Sequence, residues 1–423
     1  MTVRPYCANT MLAEVLVEEV NGRNLIFGVY YKLSIYFLYC CSIFEKKNMK
    51  TGLNILMLVL LFSACKKADQ TTVGNLPQGW SRLGGSFGLN YTNKAVHAIT
   101  TDQNDNIYVC QDYDPASQWT PLKYNGTSWS KLGTLNSSDL TEHVIIKTDQ
   151  ANNVYIYVAE AAAISNSTNL PYIAKYDGSW RMVGPDNNSS VSAVTSAIPF
   201  SVVPSGIIYA SFLRPLTGID YTNVRWNGST WDAIPKQYSD PVSGQMVTAD
   251  MENGLTTDKD GNAYAPSHFG INKVISKYNG SGWQNLGLLS PTNTIISGFN
   301  MICDKDDNLY VIVYNTTTAI YSVVKWNGTT WSSLGNLNSN SYITALAVDL
   351  NGNVYAGGNF TNASGKRFVA KWDGNNWTEL GGANSLSAND EILALAIDSR
   401  GYVYAGGKFT DSSGEAYVAV YKP

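Results

Sequence analysis

The sequence predicts an all-β fold: a seven-bladed β-propeller with four-stranded blades, its ring closed by an N-terminal strand that completes the last blade. Three observations carry this expectation. First, the motif "KWNGTTWSSLG" at Lys325–Gly335 recurs, with its tryptophan at Trp80, Trp129, Trp180, Trp231, Trp283, Trp331 and Trp377, spaced by 49, 51, 51, 52, 48 and 46 residues. Second, between successive tryptophans runs another column, seen as "TDQNDNIYV" at Thr101, "TDKDGNAYA" at Thr257 and "VDLNGNVYA" at Val348. Third, the first copy, "QGWSRLGG", holds only an outer strand, while the chain ends on "YVAVYKP", a third strand with no fourth. A single four-stranded unit cannot cover both of its faces, so copies must pack on one another around a ring.

The elements follow in order from the sixth unit. "TALAVD" reads as the first strand, "LNGN" as a turn, "VYAGGNF" as the second strand, "TNASGKR" as a loop, "FVAKW" as the third strand, "DGNN" as a turn and "WTELG" as the fourth strand. Asn-Gly and Asp-Gly supply the positive φ angles that tight hairpins need. Ile99, Ile146, Phe200, Leu255, Met301, Leu346 and Leu395 stand three positions before the Asp column, the large apolar positions of a half-buried first strand. In the third unit Val203 replaces the aspartate. The missing fourth strand at the C-terminus predicts that residues 79–84 pair beside residues 417–422, which removes the exposed seam.

Composition agrees. Of 423 residues, 12% are aromatic and only 15% charged, with 36 Gly and 27 Tyr, which suits short strands and turns. A net charge of -4 lacks the clustered Lys and Arg that phosphate contacts require, so no nucleic-acid partner is expected. Among the six cysteines, Cys110 and Cys303 fall in the first and fifth blades, too far apart for a disulfide, and are expected to be free buried thiols.

From Met49 the chain reads "MKTGLNILMLVLLFSACKK": a lysine, an apolar run, small residues and a cysteine. That order is the anatomy of a signal peptide, too short for a comfortable membrane span. Its end resembles the lipobox of bacterial lipoproteins, with Phe62 where leucine is usual, and the resemblance implies that Cys65 is lipidated. The expected organisation is a gene-model extension or apolar leader over 1–48, a lipoprotein signal peptide over 49–64, a linker over 65–75 and the propeller over 76–423. The apolar stretch Leu25–Phe44 also reads as a candidate membrane helix. The lipid anchor implies the outer membrane of a Gram-negative cell, on either its periplasmic or its outer side, with the membrane touched only through the anchor and the domain a monomer.

The "GGxF…VAKWDGxxWxxLG" text resembles the repeats of bacterial surface lipoprotein propellers and of fungal cortical polarity-marker proteins, kelch or galactose-oxidase-like in shape. Such a resemblance implies a fold and no particular chemistry.

Several residue sets bear on function. The column Asp102, Asp149, Asp258, Asp304, Asp349 and Asp398 crowds oxygen near turns; calcium is one reading and structural turns the favoured one, so no cofactor or metal is expected. The basic column Lys123, Lys175, Arg225, Lys277, Lys325 and Lys371 should lay its stems on the sheet with the charge in water, and the tryptophans should pack blade on blade. His97, His143 and His268 show no catalytic spacing. The long connection Asp232–Gly254 and the acid- and aromatic-rich "QDYDPASQWTP" at Gln111 emerge on one face, where a rigid scaffold displays its binding loops. Tyr113, Asp114, Trp119, Arg214, Tyr238, His268 and Phe269 are the candidate ligand-binding residues. The expected function is a non-catalytic envelope propeller docking a glycan or a protein. The alternatives are an envelope-assembly scaffold, or a propeller glycosidase or polysaccharide lyase using unrepeated acids such as Asp112, Asp114, Asp250 and Glu252.

Overall fold

A computed structural model describes residues 15–20 and 23–29 and, from 76 onward, all but 86, 88–94, 112–120, 134–144, 159–171, 185–198, 214–220, 270–271 and 290–293. The chain divides into two compact units, Met1–Ala68 and Asp69–Pro423. In the first, Val15–Val20 pairs antiparallel with Arg23–Val29, so the start of the apolar stretch, Leu25–Val29, is a strand and not a membrane helix. The expected signal peptide, with Cys65, and the expected linker lie outside the described residues.

The second unit holds seven antiparallel sheets, one per repeat, in a seven-bladed β-propeller. The sixth blade shows the plan: Ile343–Val348, Val354–Gly358, Ala370–Trp372 and Trp377–Glu379 lie side by side in chain order. The seventh takes its outer strand from the other end of the chain. Gly79–Arg82 pairs with Ala419–Lys422 in the register Gly79↔Lys422 to Arg82↔Ala419, the expected closure. Arg82 also pairs with Asp411 and, at 3.0 Å, with Glu415 of that blade.

The recurrent motif now has a physical reason at each position. Its two aromatics are cross-strand neighbours in all seven blades, with ring centroids 5.1 to 5.7 Å apart from Tyr124–Trp129 to Trp372–Trp377, and with Trp80–Tyr421 in the closed blade. The intervening Asn folds the turn: Asn327 Oδ1 accepts the amides of Thr329 (3.0 Å) and Thr330 (2.8 Å). The second tryptophan then reaches across to the preceding blade. Trp80 Nε1 donates to the carbonyl of Leu380 (3.0 Å), Trp129 to Leu83 (3.2 Å), Trp180 to Leu132 and Trp231 to Val183 (3.2 Å). Trp283 donates to Pro235 (2.6 Å), Trp331 to Leu286 (3.0 Å) and Trp377 to Leu334 (2.8 Å). The series runs all the way round, the first and last links being made by the closing strand.

The glycine after the acceptor residue makes room for this contact, as after Val183. Gly184 has φ +102°, and a Cβ there would lie 2.7 Å from Trp231 Nε1, so both conformation and space exclude a side chain. On its inner edge each blade is held by apolar packing; Ile392 of the seventh blade, for example, is fully buried with Ala345, Ala347 and Tyr355 of the sixth.

Trp80→Phe removes one donor of the ring and leaves the Leu380 carbonyl unpaired. The expected cost is about 1–3 kcal/mol in urea unfolding of residues 68–423. Deleting 76–84 as well should expose the edge Ala419–Lys422 and produce self-association by light scattering. A Trp80→Phe domain as stable as the parent would contradict the role given to the ring.

Candidate functional site

The aspartate column is a set of closed turns. Asp349 Oδ1 accepts the amides of Asn351 (2.9 Å) and Asn353 (3.0 Å), while Oδ2 accepts the Asn353 side chain (2.7 Å) and the Tyr355 hydroxyl (3.1 Å). Asp102, Asp149, Asp258 and Asp304 repeat this, each taking its tyrosine hydroxyl at 2.8 to 3.0 Å. In the seventh blade Tyr402 stands in the asparagine's place and the Arg400 guanidinium supplies the missing donors to Asp398. Where Val203 replaces the aspartate, Tyr209 instead donates to the Gly261 carbonyl of the next blade at 2.8 Å. Further acids in these turns link blades: Asp105 accepts the Ser399 amide and hydroxyl (both 2.9 Å), and Asp307 takes the Lys259 ammonium (2.6 Å). The column oxygens already hold N–H and O–H donors, which a cation would have to displace.

The basic column differs from the expectation in one respect. Its charges do not simply point into water but sit over the buried tyrosines, with Lys277 Nζ 5.2 Å and Lys325 Nζ 5.4 Å from the ring centroids of Tyr264 and Tyr310. Each such tyrosine thus serves two neighbours, its hydroxyl an aspartate and its face a lysine. Cys110 and Cys303 are both free, but Cys303 is only partly buried, as it occupies a first-strand end in the column of Thr101 and Thr148. Burial pushes both thiols upward in pKa.

The fourth blade breaks the pattern. Its second strand, Ala263–Phe269, carries Pro266, which has no N–H to offer the ladder. The first strand is divided there: Met246–Ala249 pairs with Ser267–Phe269, Thr256–Thr257 pairs with Ala263 and Tyr264, and residues 250–255 leave the sheet. Asp250 N–H takes the Pro266 carbonyl at 2.8 Å as the chain departs. The excursion, a single 3-10 turn at Met251–Asn253, buries Met251 completely among Val203, Tyr209 and Leu255, and the Asn223 side chain of the third blade donates to the Ala249 carbonyl at 3.0 Å. The segment expected as a loop, Asp232–Gly254, therefore holds an added hairpin, Gln237–Ser239 with Met246–Ala249. Asp240 folds its tip by accepting the Ser243 amide (2.9 Å) and hydroxyl (2.6 Å).

This break gathers five ionisable groups at the end of the blade remote from the Asp258 turn, the face from which the second-to-third-strand connections emerge. Lys236 Nζ lies 2.7 Å from Glu252 Oε1 and 3.9 Å from Asp250 Oδ1. His268 pairs through Nδ1 with Asp250 Oδ2, and its Nε2 meets Lys273 Nζ. Both ring nitrogens of His268 thus touch charged groups, a carboxylate at Nδ1 and an ammonium at Nε2. The Asp250 side chain is 7% exposed and that of His268 44%, so the acid lies beneath and the imidazole faces out. Burial raises the Asp250 carboxyl above the usual range, against the opposing pull of Lys236 and Lys273.

Of the sequence candidates, Tyr238 and His268 thus fall in this one region. Tyr238 is packed, stacked on Trp283 at 6.4 Å and hydrogen-bonded to Ser276 Oγ at 2.7 Å, so it anchors the hairpin. Phe269 ends the second strand, its side chain outside the described residues, as are Tyr113, Asp114, Trp119, Arg214, Asp112 and His143. His97 occupies a bulge in the first strand of the first blade, between Val96↔Gln111 and Ala98↔Cys110. Asp250 and Glu252 do come together, one ammonium tying both. Lys236 and Lys273 were missed, and their signal was that neither belongs to a repeated column. A second polar set lies between blades six and seven. There Arg367 donates to Asn359 Oδ1 (3.0 Å) and the Asn389 carbonyl (3.0 Å), and Lys408 lies 3.5 Å from Glu391.

No family model matches the chain, and no curated protein matches it at a significant level. Among solved structures it is similar to the extracellular domain of a hybrid two-component system from B. thetaiotaomicron, at 10% identity and TM-score 0.49, over 82% of this chain. It spans only 40% of the length of that protein. The polysaccharide lyase Uly1 is similar at 10% identity and TM-score 0.49, over 84% of this chain and 95% of its own. A polysaccharide lyase of the ulvan lyase family PL25 follows at 12% identity and TM-score 0.42, over 80% and 95%. At such identities the likeness carries nothing about ligand or reaction.

Asp349→Ala leaves two amides, an asparagine side chain and a tyrosine hydroxyl without an acceptor, and should cost about 2–4 kcal/mol. Calcium or chelator should leave the thermal midpoint of the unsubstituted domain unchanged in calorimetry. A rise in midpoint with calcium that the substitution abolishes would restore the metal reading.

Proposed function

We propose that this chain is an envelope binding propeller, held at the outer membrane through acyl chains on Cys65, that docks a glycan on its loop-bearing face without turning it over. The observation that supports this best is the fourth blade. Repeat positions are consumed by ring and turn contacts, whereas here the chain departs from the repeat and places unrepeated polar groups, one of them a half-exposed histidine, on the face that displays the connections. Buried charged groups are costly to a fold, and a stable blade does not need them, as the sixth blade shows by lacking the excursion. Glycan contacts need oriented hydrogen-bonding groups, and His268 and Lys273 supply such groups here. Acyl chains on Cys65 would hold the domain at the membrane at about 0.8 kcal/mol per buried methylene while it remains in water.

One observation favours a catalytic alternative, the polysaccharide lyase. A half-exposed histidine in contact with a buried carboxylate resembles the arrangement of a general base. The same experiment separates the two. The domain 68–423 should bind a subset of polysaccharides on an array, saturably and without new reducing ends or absorbance from unsaturated uronates. Product formation would replace the binding reading by the lyase reading, and silence on every glycan would sink both in favour of a protein partner. In the full chain, Cys65→Ser should move the protein from the membrane fraction to the soluble one.

A further inference from the structure

The five ionisable groups of the fourth blade are arranged by sign. Glu252 and Asp250 lie inside, their side chains 14% and 7% exposed, with Lys236 between them. Lys273 and His268 lie outside them, on the third and second strands. The carboxylates are occupied from within by Lys236 and from one side by His268 Nδ1, and His268 Nε2 and the Lys273 ammonium lie beyond them toward the loop-bearing end of the blade. The four lysine and carboxylate charges cancel in number but not in position, and the surplus outside is positive.

We propose that His268 and Lys273 form a site for the anionic group of an acidic glycan, a uronate carboxylate or a sulfate ester, as a deepening of the glycan-binding reading. The groups facing His268 are Asp250 and Glu252 from the excursion, Lys236 from the connection before the hairpin, and Lys273 from the third strand. An arriving anion accepts hydrogen bonds from Lys273 Nζ, which then no longer donates to His268 Nε2. The freed Nε2 takes a proton from solvent, and the imidazolium is held by Asp250 at Nδ1 and by the anion at Nε2. Binding of the anion therefore takes up a proton, and affinity falls as pH rises. Asp250 is the positioning group: it keeps Nε2 turned outward and stabilises the protonated ring.

The test uses the domain 68–423 and tetrasaccharides of galacturonate, mannuronate and sulfated galactan, with maltotetraose and mannotetraose as neutral counterparts. Acidic sugars should bind at least tenfold more tightly than neutral ones at pH 6. Titration calorimetry in buffers of different ionisation enthalpy should report uptake of part of a proton per site. His268→Gln and Lys273→Gln should each weaken acidic binding about tenfold with the urea midpoint of the domain unchanged, and Lys273→Arg should retain acidic binding, which guards against a fold that is merely damaged. The uronate and sulfated arms tell which anion is preferred. Binding of neutral sugars alone, or acidic binding indifferent to both glutamine variants, would overturn the anion site while leaving glycan binding intact. No binding by any glycan on the wider array would overturn both.

Discussion

The structure depends on one interaction repeated around a circle: an indole N–H of each outer strand donating to the main chain of the blade before it. Strand pairing makes each blade, but nothing in strand pairing holds one blade to the next. Apolar packing between blades is strong and non-directional, and would tolerate slippage. The seven tryptophan bonds supply direction, and in five of them a leucine supplies the carbonyl, with a glycine after it leaving space for the ring. Each such bond contributes about 0.5–1.5 kcal/mol net. Their joint effect is to set the pitch of the ring, and Trp80 and Trp129 make the closing strand part of it.

At the opposite edge of the blades the aspartate turns do comparable work. Each carboxylate closes its own turn and fixes a buried tyrosine, whose face in turn carries the lysine of the third strand. Burial pushes these phenols well above their ordinary range, so they stay neutral donors throughout the working range of pH. The third blade, without the aspartate, uses its tyrosine to reach the neighbouring turn. The same column thus serves either within a blade or between two, which explains how the fold absorbs Val203.

What the sequence made legible was whatever repeats. Seven copies let the strand order, the turns and the closure beside the C-terminus be read from columns, since each position could be checked against six others. Legibility failed where there is no copy. Gln237–Ser239 has no counterpart in other blades, so an inserted hairpin looked like a long loop. Pro266 was visible, but its effect, the division of the first strand and the burial of Met251, depends on the partner strand and on the third blade. Tyr238 and His268 stood out by residue type, yet only the fold shows that the first is packed and the second faces out. The lysines that complete the site signal themselves only by standing outside the repeated columns.

The ring and the site are therefore two levels of one design, repeated residues for cohesion and unrepeated ones for recognition. Cohesion through the ring is the premise on which the other level stands, and indole exchange tests it most directly. Of the 11 tryptophans, the seven of the repeat column should give slowly exchanging indole N–H signals in 15N-labelled protein, all opening at a common rate, because a closed ring yields only as a whole. Seven independent rates, or fast exchange at Trp80 and Trp129, would show that the blades are held individually and that the ring is not closed through its tryptophans.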